Sequence, residues 1–217
     1  MAKLKVAVLI SGTGTNLQAL IDACKEPGLP AEIVVVISNN PDAYGLERAR
    51  AAGIPALVID HRDFEERADF DAALSRTVKD HGAEFICLAG FMRLLTEGFV
   101  REWRDRLINI HPSLLPAFRG LNTHERALET GVRFTGCTVH FLRAELDSGP
   151  IIVQAAVAVH PDDTPERLRE RVLAAEHRCY PLALRLVAEG RVRVLNEMVR
   201  IDGAKAPSAA VLNPRDH

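Results

Sequence analysis

The chain carries the segment LKVAVLI at residues 4–10, which continues directly into SGTGTN at residues 11–16. A continuous apolar run rich in β-branched residues is typical of a strand that is buried on both faces. After the loop, Leu17, Leu20 and Cys24 recur at the spacing of one helix face. These residues predict a strand, a glycine-rich loop and a helix, in the order in which an α/β domain with a parallel sheet begins.

The same alternation continues along the chain. We predict further strands at residues 33–37, 56–59 and 85–89, with helices at residues 45–52 and 64–81. From residue 107 onwards the pattern differs, with strands predicted at 107–110, 138–141 and 151–159 and a loop at 114–134. A helix at 164–187, interrupted near Pro181, and a hairpin of strands at 192–195 and 198–201 follow. The predicted fold class is α/β, a Rossmann-like three-layer sandwich with a mostly parallel central sheet, helices on both faces and an antiparallel carboxyl-terminal portion.

The length of 217 residues fits one large domain. We expect this domain to span residues 1–203, with a phosphate-binding half at about 1–100 and a catalytic half at about 101–203. The tail at residues 204–217 is rich in Ala, Pro and Asn, and we predict that it is disordered.

Composition excludes several classes of protein. The 27 basic and 29 acidic residues leave a net charge of −2, so nothing indicates a nucleic-acid or anionic-membrane surface. No apolar stretch reaches the roughly 18 to 20 residues of a membrane helix, and the run at residues 4–10 is too short to be expected to act as a signal peptide. The four cysteines are widely separated and have no zinc-site spacing, so we expect reduced thiols, a cytoplasmic location and no metal.

The loop at residues 11–16 is the first candidate site. Glycines let a ligand approach the backbone closely, and the N–H groups at a helix start attract anions, so Gly14, Thr15 and Asn16 are expected to bind a phosphate. The dinucleotide fingerprint G-x-G-x-x-G fails because Leu17 stands where the third glycine should be. The structural alternative is a tight turn capped by the side chain of Thr15 or Asn16.

A second candidate site lies at the end of the strand at 107–110. Asn109 and His111 point to the same side by the period-two rule. A carboxamide and an imidazole side by side can donate hydrogen bonds to an oxyanion or pass on a proton. The alternative is a buried histidine whose nitrogens are satisfied by backbone carbonyls.

Asp147 lies in the turn ELDSGP at residues 145–150, 36 positions beyond His111. If the fold brings the two together, the carboxylate stabilises the imidazolium form of the histidine. The alternative is simple turn chemistry, because Asp, Ser, Gly and Pro all favour turns for local reasons.

Taken together, these motifs resemble the formyltransferases that use 10-formyltetrahydrofolate. The similarity extends from about residue 5 to about residue 201 and rests on VLISGTGTNLQA (8–19), GLERARAAGIP (45–55), LAGFMRLL (88–95), INIHPSLLP (108–116), GLNTHERALETG (120–131), ELDSGPIIVQ (145–154) and AEHRCYP (175–181). Within the family, the branch that formylates 5-phosphoribosylglycinamide in purine biosynthesis is the most similar.

The resemblance assigns roles to individual residues. It implies Asn109, His111 and Asp147 as catalytic residues with His140 in support, and Gly14, Thr15, Asn16 and Glu176 as ribonucleotide-binding residues. The implied folate-binding residues are Arg67, Met92, Arg93, Leu94, Leu95, Asn109, Arg143, Ala144, Glu145, Leu146 and Asp147. The implied ligands are 5-phosphoribosylglycinamide and 10-formyltetrahydrofolate, the latter a co-substrate rather than a tightly bound cofactor. No nucleic-acid or membrane partner is expected, and the chain is expected to be a monomer or a homodimer.

Three alternatives stay open at this point. Formyltetrahydrofolate hydrolase belongs to the same family and is expected to carry a regulatory domain before the core. Methionyl-tRNA formyltransferase is expected to carry a further carboxyl-terminal domain and a basic surface for the tRNA backbone. A noncatalytic folate- or nucleotide-binding module is an alternative of a different class, but it leaves Asn109, His111 and Asp147 unexplained.

Overall fold

The computed structural model describes residues 2–214 and is built around a seven-stranded sheet in the order β3-β2-β1-β4-β5-β6-β7. The strands are β1 (Leu4–Ile10), β2 (Ala31–Ser38), β3 (Ala56–Val58), β4 (Phe85–Leu88), β5 (Leu107–His111), β6 (Phe134–Phe141) and β7 (Ile151–Ala158). The first five strands pair in parallel, whereas β6 pairs antiparallel with both β5 and β7. A separate antiparallel hairpin consists of β8 (Val192–Leu195) and β9 (Met198–Ile201).

Helices cover both faces of the sheet. They are α1 (Thr15–Lys25), α2 (Gly45–Ala51), α3 (Arg67–Asp80), α4 (Glu97–Glu102), α5 (Thr123–Thr130) and α6 (Pro165–Ala188). In β1, Val6 and Val8 pack into the core shared with α1, α2, α5 and α6, whereas Ala7 and Leu9 pack into the core shared with α3 and α4. This alternation explains the unbroken apolar run, because both faces of the strand are buried. The predicted fold class is confirmed.

The sequence pattern was wrong about two elements. The helix at 164–187 is not interrupted at Pro181, because α6 runs through it from Pro165 to Ala188. Ala183, Leu184 and Leu186 beyond the proline are buried, and this packing outweighs the loss of one backbone donor. The expected loop at 114–134 contains α5, a helix too short for its periodicity to stand out.

The carboxyl-terminal segment at 204–214 contains no helix or strand. The Asn213 side chain donates hydrogen bonds to the carbonyls of Arg133 and Val159, at 2.6 and 3.1 Å. Disorder of the tail stays a prediction, and its last residues, 215–217, lie outside the described residues. Over residues 2–214, every helix is too short or too polar to cross a membrane.

The order of the strands predicts where ligands bind. From β1 the chain builds the sheet outward through β2 and β3, and then returns to the other side of β1 with β4. Ligands of open α/β sheets bind at such a reversal, beyond the carboxyl ends of the strands. Here the loop after β1 meets the loop after β4, where the Ser11 N–H donates to the Gly90 carbonyl at 3.1 Å.

Tyr180 of α6 fixes the strands beneath this edge. Its buried hydroxyl lies 2.9 Å from the carbonyl oxygen of Leu88 in β4 and 3.3 Å from that of Ile108 in β5. Leu88 pairs with Asn109, so one side chain anchors both strands directly below a candidate catalytic residue.

We predict that Tyr180→Phe lowers the free energy of unfolding by about 1 to 2 kcal/mol, because buried carbonyls lose their donor without any change of shape. The measurement is urea denaturation. Tyr44→Phe is the matched control, because Tyr44 is 59% exposed and its hydroxyl has no hydrogen-bond partner among residues 2–214. Equal effects of the two substitutions would contradict the anchoring role of Tyr180.

Candidate active site

A cavity of about 620 Å³ opens at the carboxyl ends of β4 and β5. Its lining includes Met92, Arg93, Leu94, Leu95, Asn109, His111, His140, Arg143, Ala144, Glu145, Leu146 and Asp147. The structure therefore brings together residues that the sequence places in four separate segments. Arg67, which the resemblance placed near the folate tail, is exposed at the start of α3 and is not part of this lining.

His111 is the last residue of β5, and both of its ring nitrogens face acceptors. Nδ1 lies 3.4 Å from Oδ1 of Asp147, and Nε2 lies 3.0 Å from the carbonyl oxygen of Phe118. A carbonyl oxygen and a carboxylate oxygen both accept hydrogen bonds and cannot donate them. Both nitrogens of this side chain, which is only 6% exposed, therefore face groups to which they can donate.

Asp147 does more than complete a turn. Its backbone is left-handed, with φ of 45°, and its side chain is 11% exposed. One carboxylate oxygen faces His111, and the other accepts a hydrogen bond from the N–H of Gly120 at 2.7 Å. The fold thus brings Asp147 and His111 together, as the sequence alone could not show. The same carboxylate connects the loop after β6 to the segment after β5.

Asn109 lies two residues before His111, and its side chain is on the same side of the sheet. It is directly opposite His140 in the antiparallel pair of β5 and β6. Within the described part of the chain, no hydrogen bond engages its carboxamide, which lines the cavity. Its N–H groups are therefore free to donate to a ligand.

His140 is almost completely buried, at 1% exposure. Its Nδ1 lies 3.0 Å from the carbonyl of Phe141 and 3.2 Å from that of Ser148, so Nδ1 carries the proton. Burial lowers the pKa of the ring, and Nε2 has no hydrogen-bond partner within residues 2–214. His140 is therefore a neutral imidazole with one free acceptor nitrogen, chemically distinct from His111.

The glycine loop forms a smaller hollow of about 210 Å³ beside this cavity, lined by Ser11, Gly12, Thr13, Gly14, Thr15, Asn16, Ala89, Gly90 and Met92. Helix α1 begins at Thr15, with Gly14 at its N-cap in a left-handed conformation and no side-chain cap. The alternative of a turn capped by Thr15 or Asn16 is therefore wrong, and the backbone N–H groups at the start of α1 remain for a ligand.

Helix α2 braces this loop from behind. A side chain at Gly14 would place its Cβ 2.6 Å from the Cα of Gly45, so the two glycines allow a backbone contact that no other residue permits. The Gly45 N–H donates to the Gly12 carbonyl at 3.0 Å, and Nε of Arg48 donates to the Thr13 carbonyl at 2.9 Å. Gly45 and Arg48 of the GLERARAAGIP segment, for which the sequence indicated no role, thus support the glycine loop.

Glu176 of α6 reaches the same loop, where its carboxylate accepts a hydrogen bond from Nδ2 of Asn16 at 2.7 Å. It is 7% exposed, and burial raises the pKa of the carboxyl group while the Asn16 donor opposes that shift. The two predicted ribonucleotide-binding residues thus meet, although 160 positions separate them.

Sequence analysis missed His124 as a site residue. It lines the large cavity, is 7% exposed, and has an Nδ1 with no partner among the described residues. Burial lowers the pKa of its ring, and the nearby Arg169 lowers it further. The signal was present in the GLNTHERALETG segment, but its residues were expected to lie in a loop.

Comparison with known proteins connects this geometry to one family. The family model described as formyl transferase matches residues 4–184. The phosphoribosylglycinamide formyltransferase of Haemophilus influenzae is 43% identical over 209 residues, covering 96% of this chain and 99% of that protein. The crystal structure of glycinamide ribonucleotide transformylase 1 from Symbiobacterium toebii superposes with a TM-score of 0.90 at 53% identity, covering 92% of this chain and 94% of that one.

A longer relative matches in one part only. The trifunctional purine biosynthetic protein adenosine-3 of Gallus gallus is 56% identical over 192 residues, or 88% of this chain. The match spans 19% of the length of that protein, so the similarity concerns one segment of it.

We predict that Glu176→Gln stabilises the protein increasingly as the pH rises. Below the ordinary pKa of 4.5 the wild-type side chain is an uncharged acid, and the two proteins are expected to be similarly stable. Burial raises the pKa of Glu176 in the folded state above its value in the unfolded state. The free energy of unfolding of the wild type therefore falls as the pH rises from 4.5 through the folded-state pKa, whereas that of Glu176→Gln does not, because glutamine does not ionise. Asn16 can still donate to the new amide oxygen.

The measurement is the free energy of unfolding in urea over a series of pH values. Glu170→Gln serves as the control because Glu170 is exposed on the same helix. A difference between wild type and Glu176→Gln that does not vary with pH would refute the prediction.

Proposed function

Because this chain belongs to the formyl transferase family, we propose that it transfers the formyl group of 10-formyltetrahydrofolate to the amine of 5-phosphoribosylglycinamide. The products are the formylglycinamide ribonucleotide and tetrahydrofolate, in de novo purine biosynthesis. The observation that carries the proposal is the convergence of Asn109, His111 and Asp147 on one cavity of a chain from this family.

The substrates are proposed to occupy the two hollows. The anionic phosphate of the ribonucleotide suits the N–H groups at the start of α1, and the ribose lies towards Glu176. The folate is held by the wall at Met92, Arg93, Leu94 and Leu95 and by the loop at 143–147. The acceptor amine then meets the formyl carbon where the hollows adjoin, and attack becomes effectively intramolecular.

The chemistry requires an oxyanion to be stabilised. Attack of the amine on the formyl carbon gives a tetrahedral intermediate, and the carboxamide of Asn109 and the imidazolium of His111 donate hydrogen bonds to its oxygen. Since Nε2 of His111 donates to the Phe118 carbonyl here, that contact is exchanged for the substrate oxygen. Removal of one such donor commonly costs a hundredfold to a thousandfold in rate, as an order of magnitude.

Asp147 serves the proton transfer. It holds His111 in its charged form and, through a water molecule, moves the proton of the attacking amine to the departing folate nitrogen. His140, with its free Nε2 acceptor, supports the site as a neutral group. The folate is consumed as a co-substrate.

We also propose a cytoplasmic location. All four cysteines are free thiols, including the buried Cys87, Cys137 and Cys179. Free thiols suit a reducing compartment.

We expect purified protein to deformylate 10-formyltetrahydrofolate only when 5-phosphoribosylglycinamide is present. The measurement is the absorbance of the deformylated folate, with methionyl-tRNA as an acceptor that stays inactive. Rapid loss of formyl-folate without any acceptor would identify a hydrolase, and binding of both ligands without turnover would identify a noncatalytic module.

Asp147→Asn is expected to reduce kcat by about a hundredfold or more, roughly the contribution of a general acid–base group. Asparagine tolerates the left-handed backbone of this position, so the fold should survive. Asp162→Asn, in an exposed turn before α6, is the control. Near-normal turnover by a well-folded Asp147→Asn protein would refute the catalytic role of Asp147 and would show that the residue only shapes the turn.

A further inference from the structure

Each of the three nitrogens of the Arg143 guanidinium donates a hydrogen bond within the protein. Nε donates to Oε2 of Glu197, one terminal nitrogen donates to the Leu142 carbonyl at 2.8 Å, and the other donates to Oδ1 of Asp105 at 2.8 Å. The side chain is 13% exposed, although it begins the loop that carries Asp147. Three of the five N–H donors of the guanidinium are thus engaged inside the protein, and these contacts fix the direction of the side chain.

Arg143 joins three segments that are distant in sequence. Asp105 belongs to the turn before β5, the strand that carries Asn109 and His111. Glu197 forms the tip of the β8–β9 hairpin, near the end of the described chain. Through Arg143, both are connected to the loop between β6 and β7, four residues before Asp147.

The two carboxylates come from residues in an unfavourable backbone conformation. Asp105 and Glu197 both have φ of 58°, in the left-handed region that disfavours a side chain. Glu197 follows Asn196, which has φ of 50°, so the hairpin tip has two consecutive left-handed residues. In such a two-residue turn glycine is strongly favoured at the second position, so glutamate there costs stability to the hairpin.

Stability does not explain the presence of Glu197. Its carboxylate is 54% exposed, and ion pairs of solvent-exposed carboxylates contribute little to the free energy of folding. Its two carboxylate oxygens face different partners, Arg143 and Arg104, and the Arg143 hydrogen bond lowers the pKa of Glu197. A strained residue that persists without a gain in stability indicates a task at a functional site.

We propose that Arg143 is a positioning residue, which Asp105 and Glu197 hold in place so that the loop at 142–149 keeps Asp147 against His111. The proposal rests on formyl transfer as the reaction that Asp147 serves. The carboxyl-terminal hairpin, which lies outside the cavity, thereby affects the catalytic step. The side chain of Arg143 acts by holding the loop in place, and the loop itself holds the folate.

The test compares two substitutions in one turn. Glu197→Gly removes the carboxylate and relieves the left-handed strain, whereas Asn196→Gly relieves strain and keeps the carboxylate. Both variants are expected to melt at or above the temperature of the wild type. Only Glu197→Gly is expected to lose activity, with kcat about tenfold lower and KM for the ribonucleotide unchanged, because small misplacements of a catalytic group are costly.

A second measurement needs no activity. Hydrogen exchange of the amides at 142–149 should accelerate in Glu197→Gly but not in Asn196→Gly. Unchanged exchange in Glu197→Gly would overturn the proposal, and so would accelerated exchange with full kcat. If the wild type fails to transfer formyl groups at all, the proposed function fails, and the exchange experiment still decides whether the hairpin holds the loop.

Arg143→Met completes the test. Its kcat should fall at least as far as that of Glu197→Gly, because the contact with Asp105 is lost as well, and the double variant should be no worse than Arg143→Met, which already lacks the contact with Glu197. A rise in KM for the folate in Arg143→Met, with no effect of Glu197→Gly, would instead show direct contact with the folate and overturn the proposal. If Arg143→Met does not fold, Glu197→Gly alone decides.

Discussion

The carboxylate of Asp147 is nearly withdrawn from solvent, and a charge in that position must have partners for both oxygens. One partner is the imidazole at the end of β5, and the other is the backbone N–H of Gly120. Meeting this requirement joins the loop after β6 to the end of the sheet and to the segment before α5. The carboxylate of Asp147 thus connects three segments that line or border the cavity, and Asp147 is also the residue proposed to transfer the proton.

The two ends of the cleft are linked through Ser11. Its hydroxyl donates to the side-chain oxygen of Asn39 at 2.5 Å and accepts a hydrogen bond from the N–H of Met92 at 2.7 Å. Ser11 belongs to the glycine loop, and Met92 belongs to the wall of the large cavity. The phosphate-binding end and the folate end are therefore parts of one hydrogen-bonded edge, which suits a reaction that needs both substrates aligned.

The sequence predicted what short-range patterns can encode. The strand at 4–10 is a double-sided apolar run, and the common direction of Asn109 and His111 follows from the period of a strand. Continuity through Pro181 and the existence of α5 depend on tertiary packing, which local pattern does not contain. The pairing of His111 with Asp147 was accessible only through family resemblance, because 36 residues separate them. The partners of Arg143 lie 38 and 54 positions away and carry no motif.

Several residues other than glycine adopt the left-handed backbone conformation, which residues with a side chain disfavour. Among the described residues they are Asp105, Phe118, Asn122, Asp147, Asn196 and Glu197. Each costs roughly 1 to 2 kcal/mol relative to glycine unless its side chain compensates, less so for Asn and Asp. Phe118 presents its carbonyl to His111, Asp147 provides the carboxylate, and Asn122 lines the cavity. Three of these six strained residues thus lie at the site, as expected where the surrounding structure forces the backbone into a shape that serves chemistry rather than folding.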